Sequence, residues 1–308
     1  MVFGESPIKD LYRRLVWGPY RELLGRMPAG TELRANRRLG HLASLGARSK
    51  ARRVRHNMSR AFPGRDLDSL VRQVFETHFV DQYISWTFKR IAAGEGSAYL
   101  ELRGVKHVDS ALSKGKGVVL IHPHMGPAQL PLCELGALGY PVLQIGGGGV
   151  QGELSEEGQR VTALRHALEQ DIPGRIQDGG SYLRPVLRAL RDNQVILSAC
   201  DGTGGGKELG RRLVRPVLGQ RMRIPVGGVF LALKSGAPLL TLVTHREDER
   251  WVSEIGPEIH LDRGLSTTQV LDQGADEIAS FLGRCLHTWP GDWHFWDEFQ
   301  PGRFLEPT

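Results

Sequence analysis

Apolar positions change their spacing near residue 100. Before it they recur at three- and four-residue intervals, the period of a helix with one buried face. Residues 7–16 bring Ile8, Leu11, Tyr12, Leu15 and Val16 onto one side, with Lys9, Arg13 and Arg14 elsewhere and Trp17 following. Two readings fit this stripe. One is an interfacial anchor, its apolar face in the acyl boundary and Trp17 at the headgroup level. The other is a helix packed on its own domain. Residues 50–60 predict a strongly basic helix stopped by Pro63-Gly64. Asp66 and Asp68 open another, through Leu70, Val71, Val74 and Phe75 towards Trp86.

From residue 101 short apolar runs alternate with helical stripes. Gly117-Val118-Val119-Leu120-Ile121 is a run without polar interruption, the pattern of a strand buried on both faces. Further strands are predicted at 141–145, 195–199 and 239–244, the last pairing antiparallel with 251–255. Helices are predicted at 127–138, 155–169, 181–191, around 230–233 and at 267–286. Pro127 is tolerated in a first helical turn. Such alternation defines an α/β fold: a mixed, mostly parallel central sheet covered by helices, with a helical N-terminal part. One domain over 1–308 is the simplest division, helical over 1–100 and α/β over 101–299.

The 308 residues are 40% hydrophobic and 24% charged, enough for a sizeable core. A net charge of +6 leaves two options, a solubility charge or an anionic partner such as a lipid headgroup, a phosphorylated donor or nucleic acid. The basic helix at 50–60 has no recognised nucleic-acid module beside it, so no nucleic acid is expected as a partner. Cys133, Cys200 and Cys285 lie far apart among apolar neighbours and read as core, not as metal ligands. No apolar run approaches the roughly 20 residues that span a bilayer, and no secretory signal opens the chain. A cytoplasmic protein that touches membranes from the side is the expectation.

The chemistry concentrates in Ile121-His122-Pro123-His124-Met125-Gly126-Pro127, where a buried strand gives way to a helix. Ligands of open α/β sheets bind outside the carboxyl ends of strands. A histidine there can take a proton from an alcohol attacking a carbonyl. His122, still close to the strand, reads as a residue that satisfies a backbone group, and His124 as the base. The glycine runs at 146–149 and 204–206 match no nucleotide-binding motif, since Glu208 stands where a phosphate loop needs Ser or Thr. They read as loops near the site. Trp289, Trp293, Phe295 and Trp296 could line an acyl pocket, meet an interface or pack the core.

Several segments, in order, resemble the lipid A and phosphatidylinositol mannoside acyltransferase family. They are Arg53 to Pro63, Gly104 to Leu120 followed by His124-Met125-Gly126, Asp201-Gly202, Val214 to Gly219, Ala232 to Pro238, Arg246, and the Trp293 to Phe299 close. The resemblance covers residues 50–299 and implies a glycerol-3-phosphate acyltransferase-like fold. It implies transfer of a fatty acyl group from acyl-carrier-protein or acyl-CoA to a lipid or glycolipid acceptor, with no cofactor. No Ser or Cys sits in a nucleophile elbow, so transfer would be direct. The family setting is the cytoplasmic face of the bacterial inner membrane, in peripheral contact with anionic lipid.

The family motif places an acid five residues after the histidine, where this chain has Gln129, and a tryptophan where it has Ala128. An amide can orient the ring but cannot offset the imidazolium charge. Three outcomes are open, in this order of preference. Gln129 orients His124 in a slow enzyme; another acid such as Asp201 or Glu134 takes the role; or the chain binds acyl lipid without turning it over. Oxyanion stabilisation needs aimed N–H groups, and Gly126 is the candidate. Asp201, Arg215 and Arg246 complete the expected substrate-binding set. No metal is expected.

Overall fold

The computed structural model describes residues 5–146, 154–178, 183–202 and 210–307. The N-terminal part is helical: α1 (Pro7–Leu15), α2 (Arg21–Gly25), α3 (Thr31–Gly46), α4 (Arg48–Ala61), α5 (Leu67–Gln82) and the single turn α6 (Phe88–Arg90). Its starts follow the local chemistry. Ser6 accepts from the Lys9 N–H ahead of Pro7, and Asp66 accepts from the Asp68 and Ser69 N–H groups.

The α/β part begins with β1 (Leu100–Arg103), α7 (Val105–Leu112), β2 (Val118–His122), α8 (Leu130–Ala137) and β3 (Val142–Gly146). It continues through α9 (Glu156–Glu169), β4 (Arg175–Asp178), α10 (Arg184–Arg191) and β5 (Val195–Ala199). A hairpin of β6 (Arg212–Val217) and β7 (Gln220–Pro225) precedes α11 (Gly227–Ser235), β8 (Leu239–Glu247), β9 (Arg250–Ile259) and α12 (Thr267–Thr288). Among the described residues the main sheet has seven strands in the order β1-β9-β8-β2-β5-β3-β4. Strands β8, β2, β5, β3 and β4 are parallel, whereas β9 runs antiparallel to β8 and β1 follows β9.

Strand β2 is buried throughout. Val119 and Ile121 pack in one apolar cluster with α10, α11 and α12, and Val118 and Leu120 in another with α7 and α8. Both faces of the strand are therefore covered, which is why its sequence does not alternate.

The structure departs from expectation in three places. Helix α8 starts at Leu130, with Pro131 rather than Pro127 in its first turn. Strands β1, β4, β6 and β7 went unpredicted. Trp17 is not at a headgroup level: it is buried, edge-on to Tyr83 and Trp86 at 5.8 and 5.4 Å. The glycines at 147–149 and 204–206 lie outside the described residues.

Candidate active site

Strands β2 and β5 end together, His122 beside Ala199, and the Cys200 N–H continues the ladder to the His122 carbonyl at 2.9 Å. Two residues beyond each strand end, His124 and Asp201 come into contact. Asp201 is wholly buried, and its carboxylate accepts three hydrogen bonds. His124 Nδ1 donates to Oδ1 at 2.7 Å, the His124 N–H to Oδ2 at 2.8 Å, and the Trp293 indole N–H to Oδ2 at 2.8 Å. Burial opposes both charges, but the pairing prevails: His124 is held above the usual histidine range and Asp201 below that of a carboxylate. With Nδ1 carrying the shared proton, Nε2 is left for a substrate hydroxyl. The ring is 29% exposed, with the Phe295 ring edge-on at 4.9 Å.

This overturns the role expected of Gln129. Asp201, not Gln129, orients the ring, and the Gln129 Oε1 is buried without a hydrogen-bond partner. Asp201, expected in the substrate-binding set and also as an alternative to Gln129, is the partner of the His124 ring. Glu134 is no alternative, since its carboxyl sits against Gly96 with Oε2 unpartnered. His122 is buried with Nδ1 3.3 Å from the Pro123 carbonyl, and burial pushes it down to about 4. It stays neutral, as befits a residue packed at the turn.

Gly126 has φ +58, and a Cβ there would meet the Thr244 Cγ2 at 2.9 Å and the Trp251 ring at 3.0 Å. Only glycine meets both demands. Its N–H, expected to stabilise an oxyanion, is already donated to the Asp292 carbonyl at 2.8 Å. Its carbonyl accepts from His294 Nε2 at 2.6 Å, and the His294 N–H donates to the His124 carbonyl at 3.1 Å. Two residues downstream, the Ala128 N–H donates to Asp81 at 3.0 Å.

The two arginines expected to bind phosphate are both ion-paired. Arg215 is tied to Asp272 and Asp276 on α12. Arg246 reaches Glu76 at 3.0 Å, and its backbone N–H is bound by Asp292 at 2.9 Å. Arg246 thus supports the His124 turn through Asp292 and offers no free cation. Asp81, Asp292 and His294 escaped the sequence reading, and Trp293 was read as lining or packing. The one signal, for Asp292, Trp293 and His294 only, is the unusual run Gly291-Asp292-Trp293-His294, an acid and a histidine on either side of a tryptophan.

Among the described residues one group has the composition of a metal site: His245, Glu247 and Glu254, with ligand atoms within 4.8 Å of one another. Arg103 already supplies their cation, at 2.8 Å from Glu247 and 3.4 Å from Glu254.

A histidine held by a buried carboxylate at the carboxyl end of a parallel sheet has the geometry that a proton-transfer site requires. The chain belongs to the bacterial lipid A biosynthesis acyltransferase family, whose model matches residues 20–298, and it is accordingly an acyltransferase. It is 26% identical over 263 residues to the phosphatidylinositol mannoside acyltransferase of Mycolicibacterium smegmatis, covering 81% of each chain. It is 28% identical over 200 residues to that of Mycobacterium tuberculosis (strain CDC 1551 / Oshkosh), covering 62% of this chain and 57% of that one. The crystal structure of the 1-acyl-sn-glycerophosphate (LPA) acyltransferase PlsC from Thermotoga maritima aligns with a TM-score of 0.35 and 14% identity, over 75% of this chain and 88% of that one. That likeness is too low to carry an argument.

Proposed function

We propose that the enzyme transfers a fatty acyl group directly from a thioester, acyl-CoA or acyl-carrier-protein, to a hydroxyl of a lipid or glycolipid acceptor, with His124 as general base. The observation that carries this is the buried Asp201 carboxylate on His124 Nδ1 at 2.7 Å. Nε2 takes the hydroxyl proton as the acceptor oxygen attacks the thioester carbonyl. Asp201 offsets the imidazolium charge as it forms. Collapse of the tetrahedral intermediate breaks the C–S bond, and the thiolate leaves with the proton from His124. The reading of a lipid-binding protein without turnover rested on a neutral Gln129 at the motif acid, and it loses its ground when an acid elsewhere holds the ring. The relatives' printed names favour a phosphatidylinositol glycolipid as acceptor.

The reading includes peripheral contact with anionic membrane at the cytoplasmic face of the inner membrane, through α1. Its polar side faces inward: Arg13 donates to Ser155 at 3.1 Å, Ser155 donates to Asp10 at 2.7 Å, and the Tyr12 and Tyr83 hydroxyls share a bond of 2.6 Å. Its apolar side faces outward, with Ile8 81%, Leu11 57% and Leu15 54% exposed. Apolar residues turned away from the fold suit an acyl boundary.

The test is transfer of labelled acyl chains from each thioester to a bacterial lipid extract. Loss of product in His124→Ala with donor binding retained supports the base. Undiminished product in that variant refutes it.

A further inference from the structure

Asp201 must present one particular oxygen to His124, and something must stop the carboxylate from rotating. Oδ1 faces Nδ1; Oδ2 is held by the His124 N–H and by the Trp293 indole N–H, each at 2.8 Å. The indole is fully buried, edge-on to Trp296, Phe299 and Phe304 at 5.0, 5.7 and 5.4 Å. A phenyl ring would fill that aromatic nest equally well. The indole differs by its N–H, which meets a charged acceptor here, the strong kind of hydrogen bond. The backbone around Trp293 is registered on the same turn. Met125 and Trp293 form an antiparallel bridge, flanked by the bonds from Gly126 N–H to the Asp292 carbonyl and from His294 N–H to the His124 carbonyl. The C-terminal segment thus grips the turn by its main chain and the carboxylate by its side chain.

We propose that Trp293 is a positioning residue: its indole N–H sets the rotation of the Asp201 carboxylate and, through it, the orientation and basicity of His124. The proposal rests on the reading of His124 as the general base. The charged and titratable groups facing His124 are Asp201 after β5, His122 in β2 and Asp81 in α5. Removing the indole dipole leaves more of the Asp201 charge to act on the ring, and His124 then protonates more readily.

The test is Trp293→Phe, which keeps the ring and removes the donor. With 15N-labelled histidine and no substrate, the His124 titration moves upward by roughly half a unit or more. The acidic limb of the rate profile follows it, and kcat falls about tenfold or more with KM little changed. An unmoved titration and limb would overturn the proposal, because packing alone shifts neither. A failure of the base reading shows separately, as product still formed by His124→Ala. Should Trp293→Phe not fold, Asp201→Asn with Trp293 intact serves instead. The Trp293 indole N–H resonance then moves upfield as its acceptor loses charge, and an unmoved resonance refutes the bond on which the inference stands.

Discussion

The turn at residues 122–128, which carries His124, and helix α1 arrange their apolar groups in opposite ways. In the turn the polar groups of His124 and Gly126 are answered from within the chain, by Asp201, Asp292 and His294, and the side chains around them are aromatic and buried. In α1 the groups of Asp10, Tyr12 and Arg13 also point inward, to Ser155 and Tyr83, but Ile8, Leu11 and Leu15 are left outside. A region with its hydrogen bonds closed on itself is rigid and holds geometry. A helix with its apolar stripe turned to the surroundings is suited to a non-aqueous neighbour. The two are joined: Tyr12 meets Tyr83, just past the end of α5, and Asp81 within that end holds the Ala128 N–H.

The sharpest way to break the comparison is to unmake the closed network. Asp201→Asn keeps the volume and removes the charge that offsets the imidazolium, so kcat should fall on the order of 10³–10⁴-fold. His124→Ala should fall as far, and the double variant no further, since the pair acts as a unit. Gln129→Glu, which restores the family's acid, should leave the rate near wild type, because Nδ1 is already taken. A gain from Gln129→Glu in steady-state assays would mean that Asp201 is not the functional partner.

Next in size is Gly126→Ala. The residue is in the left-handed region, and the Thr244 carbonyl, 3.1 Å from a Cβ there, belongs to the backbone of a central strand and cannot yield. Strain and overpacking together should cost about 2–4 kcal/mol in urea unfolding. An alanine variant as stable as wild type would show that the turn is looser than its hydrogen bonds imply.

How much of this was legible beforehand depends on whether a feature is local. The buried run of β2 and the strand-end His124 could be read because periodicity and the carboxyl-end rule act within a few residues. The Asp201 partnership could be named only as an alternative beside Glu134, ranked after Gln129, because it arises from β2 and β5 lying side by side while β3 and β4 intervene in the chain. Gln129 drew attention by its place in a motif, yet the sharp turn at Gly126 and the start of α8 leave it without a bond to the ring. The β6–β7 hairpin was hidden by its turn, Leu218-Gly219, where a leucine adopts φ +50 in place of the usual Asn or Asp. Trp17 and Trp293 were both noticed as aromatic, but nothing local told which would be core and which would hold a carboxylate.

A smaller effect separates the two histidines of the turn. His122 titrates near 4 in the fold against an ordinary 6.5. Below pH 6.5 the unfolded chain takes up a proton that the native His122 refuses, so its contribution to stability is lost as pH falls from 6.5 to about 4 and then levels. His124, raised in the fold, has the opposite sign: its contribution is present below 6.5 and lost as pH rises through the folded value. His122→Phe, neutral at every pH, should therefore lose about 2–3 kcal/mol less than wild type between pH 7.5 and 4.5. Urea unfolding at the two pH values measures this, and because each protein is its own reference the cost of the substitution itself cancels. Equal losses in both proteins would mean that His122 is hydrated and that the turn is not closed.

The mildest test addresses the other half of the comparison. Leu11 is more than half exposed on a helix with no buried residue, so Leu11→Ser should alter unfolding stability by no more than about 0.5 kcal/mol. If α1 meets lipid through this face, the same substitution should weaken binding to vesicles of anionic phospholipid about tenfold, the worth of one partly buried leucine. Sedimentation with the vesicles reads the second number and urea unfolding the first. The informative result is their ratio. A large stability loss with unchanged vesicle binding would mean that the stripe is covered by protein, and α1 would then join the turn as a region closed on itself.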